Sequence, residues 1–241
     1  MAQLFLFASY LICMGCFLSA QVHAATFEIG RASVEMPAGV WKQVTNSEGA
    51  TLLDGGATGS IPTDDRIFGL MDGERVVAIL LISSSKGGTI IRTNWTNNCA
   101  STKNSYASNI AFHVNGLGCA RATGRLNTIA YLRLAVPKMF KALEAIEPAL
   151  PPISHSVSAV VANDNGTMLY VNLVTIPAFA GSSEKPLVSV PDGINPRHAA
   201  WADRLAVAIR ESVYSMSGKL VIPSVDFVTS PKLIQPVTSS K

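Results

Sequence analysis

The chain has 241 residues, of which 48% are apolar and only 15% charged, and its formal charge is +3. That balance excludes intrinsic disorder, which needs low hydrophobicity and dense charge. The 19 basic residues are dispersed without a Lys/Arg cluster, which argues against a nucleic-acid surface or a polybasic membrane patch, so no nucleic-acid partner is expected.

Residues Leu4 to Ala20 carry no charge, and Val22 and Ala24 follow as small residues. An apolar core with a small-residue exit reads as a secretory signal peptide cleaved near Ala24, although the leading Met-Ala-Gln lacks Lys or Arg. Retention as a membrane anchor is a second reading, but the run is short against the ~20 residues a spanning helix needs. Lipidation at Cys16 is a third, and Cys13-Met14-Gly15 fits such a site poorly. The expected organisation is a signal peptide over 1–24, one domain over 25–228 and a loose tail over 229–241. The expected location is periplasmic or secreted.

Phe27 and Ile29 share one parity and Ala32, Val34 and Met36 the other, so the phase slips at Gly30-Arg31, as at a bulge or bend. Pro37-Ala38-Gly39 predicts a turn, Val40–Val44 a strand, Asp54-Gly55-Gly56 a turn, and the stretch from Gly56 to Asp65 a loop. Two β-rich runs around Asp72-Gly73 predict a hairpin, and Val76–Ile82 reads as a strand buried on both faces. A loop is expected over 83–89 and a short strand over 90–95. Residues 94–125 are polar and turn-rich, and Leu126–Val136 fits strand or helix. Pro137 opens a helix ended by Pro148, Pro151 and Pro152. A second hairpin turns at Asp164-Asn165-Gly166, matching Val157, Ala159 and Val161 with Leu169, Val171 and Leu173. After a loop over 177–195, Asn195 caps a helix with Pro196 at its first position and Gly218 past its end. Trp201, Leu205, Ile209 and Met216 line one side of that helix. Residues 219–228 return as a strand whose Pro223 marks an edge.

The predicted fold class is therefore α+β: an antiparallel sheet built from hairpins, packed by two main helices and stapled by one disulfide. Val34-Glu35-Met36-Pro37, leading to Trp41, resembles the first hairpin of PsbP/Mog1-like α/β proteins. That resemblance covers the first strand and turn, Val40 is an insertion relative to the family's Pro-x-Gly-Trp, and no functional residue is carried over. The wider layout resembles small exported bacterial proteins.

Cys13 and Cys16 leave with the predicted leader, so Cys99 and Cys119 remain as an even pair in an oxidising compartment and are expected to form a disulfide. They lack the spacing of a zinc site, and a catalytic Cys99 would need a base, for which His113 is the only sequence neighbour. The stapled stretch offers Lys103, Asn104, Tyr106, Asn109 and His113 as a candidate binding loop, against the plainer reading of a solvated loop. Ser83-Ser84-Ser85-Lys86 and Ser182-Ser183-Glu184-Lys185 both match the Ser-x-x-Lys nucleophile pattern, without its companion motifs. His155 is expected on the packed face of its strand and His198 in an exposed first helical turn. Asn94 and Asn165 head glycosylation sequons. No cofactor, metal ligand set or catalytic residue is expected. The functional expectation is an exported, non-enzymatic envelope protein that binds an envelope protein or a cell-wall component. A hydrolase with an unrecognised Ser/His site and a membrane-tethered accessory protein are the alternatives.

Overall fold

The computed structural model describes residues 25–52, 60–87, 95, 99–111, 115–135, 137–146, 153–175 and 185–225. The predicted leader, the turn at Asp54-Gly55-Gly56, most of the strand over 90–95, His113, Asn94 and the tail lie outside them. The elements are β1 (Thr26–Ile29), β2 (Ala32–Glu35), β3 (Val40–Leu52), β4 (Ser60–Asp72), β5 (Arg75–Ser85), β6 (Ser105–Asn109), β7 (Leu117–Asn127), α1 (Thr128–Ala135), α2 (Pro137–Ile146), β8 (Ile153–Ala162), β9 (Met168–Thr175), α3 (Pro196–Tyr214) and β10 (Lys219–Val221). The fold is α+β, and Cys99 is bonded to Cys119.

A seven-stranded sheet runs β3-β4-β5-β9-β8-β7-β6 with every pair antiparallel. A three-stranded sheet, β1-β2-β10, is mixed, because β10 pairs with β2 in parallel. That pair departs from the expected antiparallel hairpins. Its two strands are far apart in sequence, with α3 between them, so no tight turn forces them to run in opposite directions. Pro223 lies beyond β10, which ends at Val221, instead of marking its edge.

The phase slip at Gly30-Arg31 is a two-residue hairpin loop: Ile29 pairs with Ala32, and Gly30 sits at φ 55°. A Cβ there would lie 2.7 Å from the Ser85 carbonyl oxygen, so both the left-handed backbone and the close approach of β5 require glycine. The next hairpin pairs Asp72 with Arg75, placing its loop at Gly73-Glu74, one residue later than expected. Gly73, at φ 62°, leads that loop, as a two-residue hairpin with one positive φ demands. The third hairpin turns at Asp164-Asn165-Gly166 and pairs Val157 with Leu173, Ala159 with Val171 and Val161 with Leu169, in the expected register.

Three polar stretches expected as loops are strands. Ser60–Asp65 opens β4, where Ile61 and Thr63 are buried between exposed Ser60 and Pro62. Ser83–Ser85 ends β5, with Ser84 and Ser85 buried. The turn-rich stretch 94–125 contains β6 and most of β7. In each, small polar side chains satisfy the strand alternation that apolar ones usually announce. Leu126–Val136 resolves to helix from Thr128, capped by Asn127 Oδ1, which accepts from Ala130 N at 2.9 Å.

Helix α3 begins as expected, with Asn195 Oδ1 accepting from Arg197 N at 2.9 Å and Pro196 first in the helix. Trp201, Leu205 and Ile209 are fully buried. Met216 lies past the C-cap Ser215 and is exposed, so it does not belong to the apolar stripe. The helix lies on β7 and β8 and shares a core with Ala78, Leu80 and Ile82 of β5 and with the inner residues of β8 and β9. The opposite sheet face carries a smaller core in which Ile67, Ile79 and Val174 meet Leu132 of α1 and Phe140 of α2. Strand β5 is therefore buried from both sides, as its apolar run predicts.

Near the β1–β2 turn, Arg66 Nε and Nη2 each donate to Asp64 at 2.9 Å, and Gly30 N donates to it at 3.2 Å. The guanidinium, with the Gly30 amide, holds the Asp64 carboxyl below its ordinary value. A depressed carboxylate adds stability at neutral pH that disappears as pH falls below about 4. Urea unfolding at stepped pH should show Asp64→Asn flattening that acid-side loss; an unchanged slope would remove the pair from the acid response.

Candidate functional site

The stapled segment is built to close turns. Thr102 Oγ1 and Ser105 Oγ are 2.8 Å apart, Ser101 Oγ bonds both the amide and the carbonyl of Ala107, and Asn109 Oδ1 accepts from Ala111 N. Lys103 and Asn104 are exposed in the turn before β6, and Asn109 is exposed at its end. Tyr106 is not part of a surface: it is fully buried in β6. His113 lies outside the described residues. The alternation of Tyr106, Ser108 and Ile110 was the signal for a strand, masked by polar neighbours.

Tyr106 reaches α3 instead. Its hydroxyl donates to Asp203 Oδ2 at 2.6 Å, and Leu187 N donates to the same oxygen at 2.7 Å. Burial, then the Asp203 carboxylate, pushes the Tyr106 phenol far above its ordinary value. The stapled strand, the segment before α3 and α3 itself thus meet at one buried carboxylate. Tyr106→Phe leaves that carboxylate without the hydroxyl and should cost about 1–3 kcal/mol. Because the native phenol stays protonated, its contribution is present below about pH 10 and lost above it. Alkaline unfolding of wild type and Tyr106→Phe should converge if the link acts this way; parallel curves would contradict it.

His198, expected to be exposed, is buried at 2% exposure, and its ring lies 5.3 Å from that of half-buried His155. The first turn of α3 faces the sheet, which a helix start need not do. On the opposite sheet face, Ser156 Oγ donates to Asn172 Oδ1 and Asn172 Nδ2 donates to the Tyr131 hydroxyl, both at 2.7 Å. Ser83 Oγ donates to Asp65 Oδ1 at 2.6 Å, while Lys86 pairs with Glu48. The Ser-x-x-Lys members therefore serve separate partners, and Ser83 lies in a strand, where three residues' spacing does not stack it beneath the lysine. Of the second match only Lys185 lies among the described residues.

Two clefts of ligand-site size occur among the described residues: one of about 370 Å³ beside Leu187, Asp203 and Glu211, and a more polar one of about 340 Å³ where the β1–β2 turn, the β8–β9 turn and the end of α3 converge. Arg31 enters from the first turn and donates through Nη1 to Thr167 Oγ1 at 3.3 Å. Asn163 and Asn165 enter from the second; both Oδ1 atoms accept from Thr167 N at 3.0 Å, and neither Nδ2 is spent on that bond. Ser212, Tyr214 and Met216 close the third side. Tyr214 is 39% exposed and Met216 fully exposed. Partial burial, then the nearby Asp164 carboxylate, raises the Tyr214 phenol above its ordinary value, so it is a neutral donor at physiological pH. No local motif in the sequence marks this cleft, because Arg31 lies 136 residues from Thr167 and the end of α3 lies farther along the chain again.

Comparison with protein-family models, curated proteins and solved structures gave no match. No helix among the described residues is long and apolar enough to cross a membrane, and no metal-binding group of side chains occurs among them.

Proposed function

We propose that this protein is exported and acts as a non-enzymatic binding module of the cell envelope, with the cleft at the end of α3 as its working site. The observation that carries the reading is the convergence of a guanidinium, two carboxamides and an exposed phenol on one cleft of about 340 Å³. Such a volume lies within the usual range of ligand pockets, about 300–1,000 Å³, and a few convergent polar groups are what fixes a ligand there. These are hydrogen-bonding groups, suited to holding a ligand. Export is supported by the apolar leader and by the Cys99–Cys119 bond, which suits an oxidising compartment.

Co-sedimentation of the purified protein with membrane and cell-wall fractions of its own organism tests the reading. Saturable retention by one fraction is expected. Absence of retention by every fraction would contradict it.

A further inference from the structure

We infer that the cleft at the end of α3 recognises a neutral sugar. The inference rests on the binding reading above and names its ligand class.

The cleft disfavours charge of either sign. Its third wall is the C-terminal end of a 19-residue helix, where the macrodipole presents negative potential. Asp164 acts on Tyr214 with the same sign. An anion would meet both. A cation would meet the Arg31 guanidinium, which lines the opposite wall, and Arg210, whose positive charge also acts on Tyr214. The ligand that fits this mixture is uncharged and rich in groups that donate and accept together. Hydroxyls do both.

The donors are planar, and each side chain has a hydrogen bond to Thr167: Arg31 donates to its hydroxyl, and the Asn163 and Asn165 carboxamide oxygens accept from its amide. A planar fork can bridge two adjacent hydroxyls of a sugar ring. The half-exposed Tyr214 supplies a flat ring with a polar tip, wet at one end and apolar at its face, which suits the C–H face of a pyranose. Exposed Met216 extends that apolar wall. A neutral peptide would satisfy the charge argument. It would gain most from an open strand edge, though, and this cleft is walled by two turns and a helix end.

The test is titration of the full chain with neutral oligosaccharides, namely oligomers of glucose, mannose and N-acetylglucosamine, and separately with an uncharged capped tripeptide. Binding is followed calorimetrically and by amide chemical shifts of Arg31, Asn165 and Tyr214. Saturable binding of at least one oligosaccharide is expected, with shifts confined to the cleft. Tyr214→Ala and Arg31→Gln alter exposed side chains, so an unchanged melting temperature will show that they fold. Each should weaken binding by about tenfold or more. Binding of the peptide alone, no binding of any oligosaccharide, or oligosaccharide binding indifferent to both variants would each overturn the sugar assignment. Envelope retention without oligosaccharide binding would sink this inference and leave the binding-module reading standing. Loss of envelope retention would sink that reading itself.

Discussion

Replacing Cys99 and Cys119 together by alanine should lower the free energy of unfolding by about 3 kcal/mol, read from equilibrium urea denaturation against the oxidised protein. The bond closes a loop with a sequence separation of 20, and cross-linking that length of unfolded chain removes entropy worth about this much. It is a large share of the roughly 5–15 kcal/mol that a typical domain has in total. The staple also has a specific place: it ties residue 99 to β7, beside the edge strand β6 that carries Tyr106. Loosening it should therefore weaken the Tyr106–Asp203 link, and the double variant should lose part of its sensitivity to Tyr106→Phe. Equal stability of the double-alanine and oxidised proteins would show that the loop is held by its hydrogen bonds alone.

Trp201→Ala should cost about 3–5 kcal/mol, the range for deleting a fully buried aromatic side chain. Trp201 has no exposed surface, sits among Leu205, Ile209 and the inner faces of β8 and β9, and donates its indole N–H to the Ser224 carbonyl at 3.1 Å. The cost combines lost burial, an unfilled cavity and a stranded acceptor. Trp201→Phe restores most of the ring and not the donor, so it should recover the larger part of the loss. If phenylalanine were as damaging as alanine, the bond to Ser224 rather than packing would dominate.

Much of the architecture is readable where local chemistry is unambiguous. Asn195-Pro196 starts α3 because a side-chain acceptor and a fixed φ solve the unpaired N–H problem at that point. The hairpin at Asp164-Asn165-Gly166 and the matching of Val157 with Leu173 follow from turn chemistry and period-two burial. Strand β6 is hidden because Ser105 and Ser108 are buried beside Tyr106, and buried serines look like loop residues. The Ser60–Asp65 half of β4 is hidden because one of its buried residues, Thr63, is polar and Pro62 and two aspartates punctuate it. His198 is misplaced by sequence because amphipathicity counts apolar residues, whereas this imidazole is buried against His155.

The candidate site is less legible than the fold. The stapled stretch draws attention because its polar residues lie together in sequence, yet the Ser101, Thr102, Ser105 and Asn109 side chains bond within the stretch itself. The cleft draws none, because Arg31, Asn165 and Tyr214 become neighbours only when β2 pairs with the strand that follows α3 and β9 pairs with β5. Topology assembles that site, and no window of sequence contains it.

Intact-mass analysis combined with thiol labelling under denaturing, non-reducing conditions, on protein recovered from cells making the full chain, tests the central claim most directly. The account predicts a chain beginning at Ala25 with no labelled thiol, Cys99 and Cys119 being joined. A chain beginning at Met1 with Cys99 and Cys119 both labelled would contradict it.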